Sequence, residues 1–301
     1  MKLAALGILP LVVACSSQSR PNTRIADAEI ILRHSGSPQV GTYESKPEGF
    51  STRSYWIEGP TGLVLIDTQF LLSAAQEAVD WAERTTGKKV VLAVVLHPNP
   101  DKFNGTGALR NRGIRVITSA QVASLIPSVH ADRYRSFFKR FQPDYPAEYT
   151  LPEVFGDRST EIEAAGLKLK LHVLGAGASA AHVVVEWNKH VFTGDLVAHL
   201  GHAWLELGLV NEWLARLNDI WAMEPEHVHP GRGPSGSDEL LERQEAYLRR
   251  ALALMRKHAR EPKAVEKVRA LLENEYIGYS NPFFLTVGLP EVQARIRAGK
   301  L

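Results

Sequence analysis

The chain holds a single cysteine and three methionines. It has no apolar run approaching the about 20 residues that a membrane-spanning helix needs. With Cys15 as the only thiol, no internal disulfide can exist. The charges nearly cancel, 35 Lys and Arg against 33 Asp and Glu for a formal +2. No basic run or aromatic-interleaved basic patch occurs, which argues against nucleic acid as a partner. Repeats and low-complexity tracts are also missing. What remains is a chain of 301 residues, 45% hydrophobic and 23% charged, long enough for one large core or two small ones.

Met1-Lys2 followed by apolar Leu3 to Val13 has the charged start and short hydrophobic core of an export signal. Val12-Val13-Ala14-Cys15 resembles a bacterial lipobox, which implies that Cys15 carries a lipid, becomes the first mature residue and attaches the protein to a membrane. An ordinary signal peptide with a chance cysteine is the alternative. In lipoproteins of that kind a residue other than aspartate after the cysteine, here Ser16, implies the outer membrane facing the periplasm. The polar stretch that follows, with Pro21, reads as a tether.

Beyond the tether, strand-like and helix-like periods alternate. Tyr55 to Ile57 and Leu63 to Ile66 flank the turn Gly59-Pro-Thr-Gly62 and predict a hairpin. Leu72, Ala75, Val79 and Ala82 keep helical spacing, and Val90 to Leu96 reads as a strand buried on both faces. Ile114 to Thr118 predicts another strand, and Ser119 can cap a short helix through Ile126. Tyr134, Phe137, Phe138 and Phe141 form a helical stripe suited to a core or to a lid over a groove. Leu167 to Val173 alternates as a half-solvated strand, and Val183 to Trp187 pairs with Val191 to Thr193 through Asn188-Lys189. Asn211 can cap one helix, and Ser237 or Asp238 a long one reaching about His258. The remainder is expected to hold one more helix and a turn at Tyr279 to Pro282.

Five motifs stand in order along this pattern. They are Leu65-Ile-Asp67-Thr68, His97-Pro-Asn99-Pro-Asp101-Lys102, Gly175-Ala-Gly-Ala-Ser-Ala-Ala-His182, Phe192-Thr-Gly-Asp195 and His229-Pro-Gly-Arg232-Gly. Together, over residues about 50 to 234, they resemble the metallo-β-lactamase fold superfamily. The second reads H-x-N-x-D-K where the family has H-x-H-x-D-H. The resemblance implies an α/β fold, a four-layer αβ/βα sandwich with the site at the edges of both sheets. The implied domains are a signal at 1–14, a tether at 15–28, the sandwich at 29–258 and a C-terminal helical extension at 259–301.

In such relatives, imidazoles and carboxylates hold two Zn²⁺ ions and activate a bridging water. Every ligand must offer a lone pair. The resemblance places His97, Asn99 and His182 at a first metal, and Asp101, Lys102 and Arg232 at a second. Asp195 would bridge both, and Asp67 would support the loop. Protonated lysine and arginine are donors only, so the second site is expected to be lost. Losing the ion would leave Asp101 and Asp195 as two close carboxylates, and Lys102 with Arg232 restores the missing positive charge. No cofactor is therefore expected beyond at most one weakly held Zn²⁺ on His97, Asn99, His182 and Asp195.

Other histidines have plainer readings. His227 and His229 flank Val228 at a strand end, and His199 and His202 follow Asp195 in a cleft-bordering loop. His34, His130, His172, His190 and His258 read as surface or packing residues. Ser179 has no base partner indicated by spacing. Two functions stay open. One is a pseudo-enzyme or binding protein of the envelope, taking an anionic small molecule or an envelope protein. The other is a hydrolase of an ester, thioester or phosphodiester with one metal or none, using Asp101 or Asp195 as general base. β-Lactam hydrolysis is not expected. The apolar Phe283-Phe284-Leu285 is suited to covering a neighbour or the chain's own cleft.

Overall fold

The computed structural model describes residues 30–34 and 37–301, so the signal-like segment, Cys15 and the tether lie outside the described residues. Among the described residues the strands form two sheets. The first runs in the order β1 (Ile30–His34), β2 (Ser37–Glu44), β3 (Arg53–Glu58), β4 (Leu63–Ile66), β5 (Val90–Val94), β6 (Arg115–Thr118) and β7 (Glu153–Val154). The second comprises β8 (Thr160–Ala164), β9 (Leu167–Leu174), β10 (His182–Trp187), β11 (His190–Ala198) and β12 (His227–Arg232), in the order β12-β11-β10-β9-β8.

The predicted hairpins form as turn chemistry requires. β3 and β4 pair antiparallel across a turn closed by Gly59 N–H to Gly62 O at 2.9 Å. β10 and β11 meet through Asn188 and Lys189 at φ 47° and 64°, the doubly positive turn that matches strand twist. β4, β5 and β6 are parallel, and β5 is buried except at Val91.

Helix α1 (Leu72–Thr86) lays Ala74, Ala75, Ala78, Val79 and Ala82 on the first sheet. Two short helices follow β5, α2 (Pro100–Phe103) and α3 (Thr106–Asn111), and then α4 (Ala120–Phe141). On the second sheet lie α5 (Val210–Trp221) and α6 (Glu239–His258), joined by α7 (Ala264–Glu275) and α8 (Phe283–Arg297). The sheets face each other: the Tyr55 ring stands 5.5 Å from that of Phe192, and Tyr55 Oη donates to Pro230 O at 2.8 Å. The layers are helix, sheet, sheet, helix, as expected. Burial of each large aliphatic side chain between them contributes about 1.5–3 kcal/mol.

Three expectations need correction. The helix capped by Ser119, whose Oγ accepts Val122 N–H at 3.2 Å, does not stop at Ile126 but runs to Phe141. Pro127 forfeits only the one bond it cannot donate, while Val122, Ala123, Ile126, His130 and Phe141 bury one continuous face. Asn211 is not a cap: α5 begins one residue earlier behind Leu209. The C-terminal part holds two helices, not one. Gly288 and Pro290 obscure α8 in the sequence, yet Phe284, Leu285, Leu289 and Val292 make a buried stripe. Gly288 is needed there, because a Cβ would sit 2.6 Å from Leu205 Cβ. α7 and α8 share one hydrophobic core with α5, α6 and β11.

Candidate functional site at the shared sheet edge

The motifs at Asp67 and His97 follow the ends of β4 and β5, that of His182 opens β10, that of Asp195 lies within β11, and that of Arg232 closes β12. Asp67 follows β4 at φ 63°, a left-handed conformation that aspartate tolerates better than most residues. Its Oδ1 accepts Leu96 N–H at 2.9 Å, tying the end of β4 to the end of β5. Leu96 O in turn accepts Val183 N–H at 2.6 Å, which binds the first sheet to β10. Pro100 starts α2, whose single turn points Asp101 and Lys102 inward. Lys102 O is held at 2.8 Å by both the N–H and the hydroxyl of Thr68.

Lys102 is fully buried, at 0% exposure, and Asp101, Asp195 and Arg232 are buried with it. The Lys102 ammonium lies 3.1 Å from Asp101 Oδ2, 3.0 Å from Asp195 Oδ1 and 3.8 Å from Asp67 Oδ2. It is shared among them as an ion-pair partner, without one aligned hydrogen bond. Arg232 donates from Nη2 to Asp101 Oδ2 at 2.7 Å, pairs Nη1 with Asp195 Oδ2 at 2.5 Å, and donates from Nε to Phe50 O at 3.1 Å. Thr52 Oγ1 adds a bond to Asp101 Oδ2 at 3.3 Å. The geometry thus brings together Asp67, Asp101, Lys102, Asp195 and Arg232.

Burial and pairing compete on these groups. Burial alone would raise Asp101 and Asp195, but the adjacent Lys102 and Arg232 charges outweigh it and hold Asp101 below, and Asp195 well below, the ordinary carboxylate range. Burial also opposes the charges on Lys102 and Arg232, and the same carboxylates outweigh it and raise both. Asp67 goes the other way: burial lifts it to about 7 against the pull of the more distant Lys102.

The histidines lie beside this cluster. His97 Nε2 is 3.6 Å from Asp195 Oδ2, and its ring centroid is 5.2 Å from that of His182. His182 Nε2 accepts Ser179 N–H at 2.9 Å, and burial followed by His97 keeps it well below the usual histidine value. Ser179 Oγ lies 3.4 Å from His97 Nδ1 and donates to Asn99 Oδ1 at 3.3 Å.

This donor set does not fit a dinuclear metal centre. Two protonated cations stand between the carboxylates where metal ligands would be needed. The Nε2 lone pair of His182 is taken by Ser179 N–H and Asn99 Oδ1 accepts from Ser179 Oγ, while His97 Nε2 is buried without a hydrogen-bond partner among the described residues. Among the described residues no three His, Cys, Asp or Glu side chains are disposed to hold a metal ion.

His190, His227 and His229 contact one another and their neighbours. His190 Nδ1 is 2.9 Å from His229 Nε2, whose Nδ1 meets Ser235 Oγ at 2.9 Å, and His227 stacks on His190. His199 Nδ1 donates to Pro234 O at 2.7 Å, while buried His202 meets Tyr247 Oη at 2.8 Å.

Above the cluster opens a cleft lined by Asn99, Pro100, Asp101, Asp195, Arg232 and Arg133, with aromatic walls. Its empty space is ≈ 410 Å³ with the open mouth included. Phe50, Phe70 and Phe137 meet edge to face at centroid distances of 4.8–5.6 Å. Phe283 and Phe284, at the start of α8, cover the chain's own cleft. Sequence reasoning had marked Phe137, Phe283 and Phe284 but missed Phe50, Phe70, Trp204 and Arg133. Phe70 lies two residues beyond the Asp67-Thr68 motif, which is a usable signal; nothing in the sequence singles out Phe50, Trp204 or Arg133.

Two facing sheets that bring a histidine loop, a Gly-rich loop and two aspartates to one edge define the αβ/βα hydrolase-type sandwich. The chain belongs to the Metallo-beta-lactamase superfamily, whose profile matches residues 47–232. Solved structures agree on the fold. A metallo-beta-lactamase from Pontibacter korlensis is 23% identical with a TM-score of 0.60, over 73% of this chain and 99% of that one. The metallo-beta-lactamase FIM-1 from Pseudomonas aeruginosa in its mono-zinc form is 20% identical at 0.58, over 73% and 96%. One from Hirschia baltica is 18% identical at 0.53, over 75% and 98%. No curated protein sequence matches the chain.

Proposed function

We propose that this member of the superfamily is an envelope lipoprotein, lipid-anchored through Cys15, in which an ion-pair cluster stands in for the metal centre and the cleft binds a small molecule without hydrolysing it. The observation that carries this reading is that Lys102 and Arg232 each contact both Asp101 and Asp195. A general base works best with a pKa near the operating pH. Asp101 and Asp195 are held below the ordinary carboxylate range by cations they already contact, which makes them poor bases. The export signal and tether place the domain beside a membrane, and the lipid on Cys15 keeps it there.

Elemental mass spectrometry on protein beginning at Ser16, purified without chelator and again after zinc reconstitution, tests the site. Metal-free protein in both preparations, inert toward esters, thioesters and phosphodiesters, is expected. About one equivalent of zinc that disappears in the His97→Ala, His182→Ala double variant would replace this reading with a mononuclear hydrolase. Mass analysis of full-length protein and of Cys15→Ser tests the anchor.

A further inference from the structure

The cations that suggest an anionic ligand in the sequence are consumed in the folded protein. All three nitrogens of Arg232 have partners, namely Phe50 O, Asp101 and Asp195. Lys102 lies behind the carboxylates at zero exposure. The remaining cation on the cleft wall, Arg133, is paired through Nη2 with Glu206, which also accepts Trp204 Nε1–H at 3.0 Å. Both guanidinium groups also sit over aromatic rings, Arg232 at 5.2 Å from the Phe284 centroid and Arg133 at 5.6 Å from that of Trp204.

Counting Asp67, Asp101 and Asp195 against Lys102 and Arg232, the floor is neutral when Asp67 is protonated and carries one negative charge when it is not. An entering anion would have to displace a buried carboxylate from its partner, and the carboxylate left uncompensated is the expensive product. Arg133 is neutralised by Glu206, so the uncharged donor on the cleft wall is Asn99, whose Oδ1 accepts from Ser179 and whose amide N–H₂ makes no hydrogen bond among the described residues. That group donates, so it suits a carbonyl or hydroxyl oxygen. Around it the walls are the rings of Phe50, Phe70, Phe137 and Phe283, which favour a flat apolar partner in edge or offset contact.

We infer that the cleft selects a neutral, ring-bearing small molecule with one acceptor oxygen, and discriminates against its anionic counterpart. This rests on the proposed metal-free site and deepens it by naming the ligand class.

Benzamide and benzoate are a matched pair of probes, nearly equal in shape and differing in charge. Titration of each into protein beginning at Ser16 by calorimetry or ligand-observed NMR, with the zinc content of the same sample measured, gives the test. Benzamide is expected to bind at least about tenfold more tightly than benzoate, a difference of about 1.4 kcal/mol. Phe283→Ala removes a ring that is 43% exposed and so leaves the core filled; it should weaken benzamide by about two- to tenfold. Equal or tighter benzoate binding to metal-free protein overturns the ligand class and leaves the metal-free site standing. Failure of both probes to bind metal-free protein at millimolar concentration overturns it as well. Bound zinc together with a preference for benzoate removes both readings.

Discussion

Lys102 Nζ stands 3.0 Å from Asp195 Oδ1, and neither group is exposed enough to be stabilised by water alone. A pair of this kind adds little over a well-packed apolar replacement, but the loss of one partner strands the other. Lys102→Met should therefore cost about 3–5 kcal/mol. Combined with Asp195→Asn it should cost less than the sum of the two single changes, because the stranded charge has gone. Urea unfolding of the three variants completes the cycle, and strict additivity would show that the two groups do not depend on each other.

Protonated lysine and arginine offer no lone pair to a metal, whereas neutral histidine does. Lys102→His with Arg232→His replaces two donors by two groups that can present lone pairs beside Asp101 and Asp195. That variant is expected to gain zinc binding by competition with a chromophoric chelator. The Lys102→Gln, Arg232→Gln control should not, although it also loses both charges. Equal zinc uptake by the two variants would mean that imidazole is not the deciding feature.

Asp67 and the other two aspartates respond to pH in opposite senses. Folding raises the Asp67 value from 3.8 to about 7, so its contribution to stability is present below about pH 4 and is lost as pH rises through about 7. Asp101 and Asp195 are lowered, so theirs is present above the ordinary carboxylate value and is lost as pH falls through their folded values. Asp67→Asn keeps an acceptor for Leu96 N–H and removes the rising cost. Its urea midpoint relative to the parent should climb between pH 4.5 and pH 8. A constant difference across that range would show that the Asp67 carboxyl titrates normally.

The glycines of the Arg232 loop hold it against the cluster. A Cβ on Gly231 would lie 2.3 Å from Asp195 Oδ1, and one on Gly233, at φ 79°, would lie 1.7 Å from His199 O. Gly233→Ala meets backbone as well as strain and should cost more than the about 1 kcal/mol typical of single substitutions. Gly231→Ala should displace Asp195 instead and weaken its contact with Arg232. Thermal denaturation of the two variants checks the first, and the pH dependence of their stability checks the second.

The strand and hairpin pattern was readable because alternation, valine-rich runs and Gly- or Asn-containing turns are local signals. Helix ends were less so. α4 passes Pro127 because burial on both sides of it outweighs one missing hydrogen bond, and α8 forms through Gly288 because Leu205 requires a residue without a side chain there. The charged site residues were visible as motif positions, and their lone-pair chemistry followed from residue type alone. The aromatic walls were only partly legible: Phe137, Phe283 and Phe284 stood in apolar patterns, whereas Phe50, Phe70 and Trp204 come from three separate segments that only the fold brings to them.

By itself the sequence determined the succession of strands and helices along the chain and the two donor-only cations, Lys102 and Arg232, at motif positions. Tertiary structure decided what those charges do. Whether a cation is free for a ligand depends on which carboxylate lies within about 4 Å in a low-dielectric interior, where the pair attraction is strong. That distance is set by how two sheets pack, and residue types along one chain do not contain it.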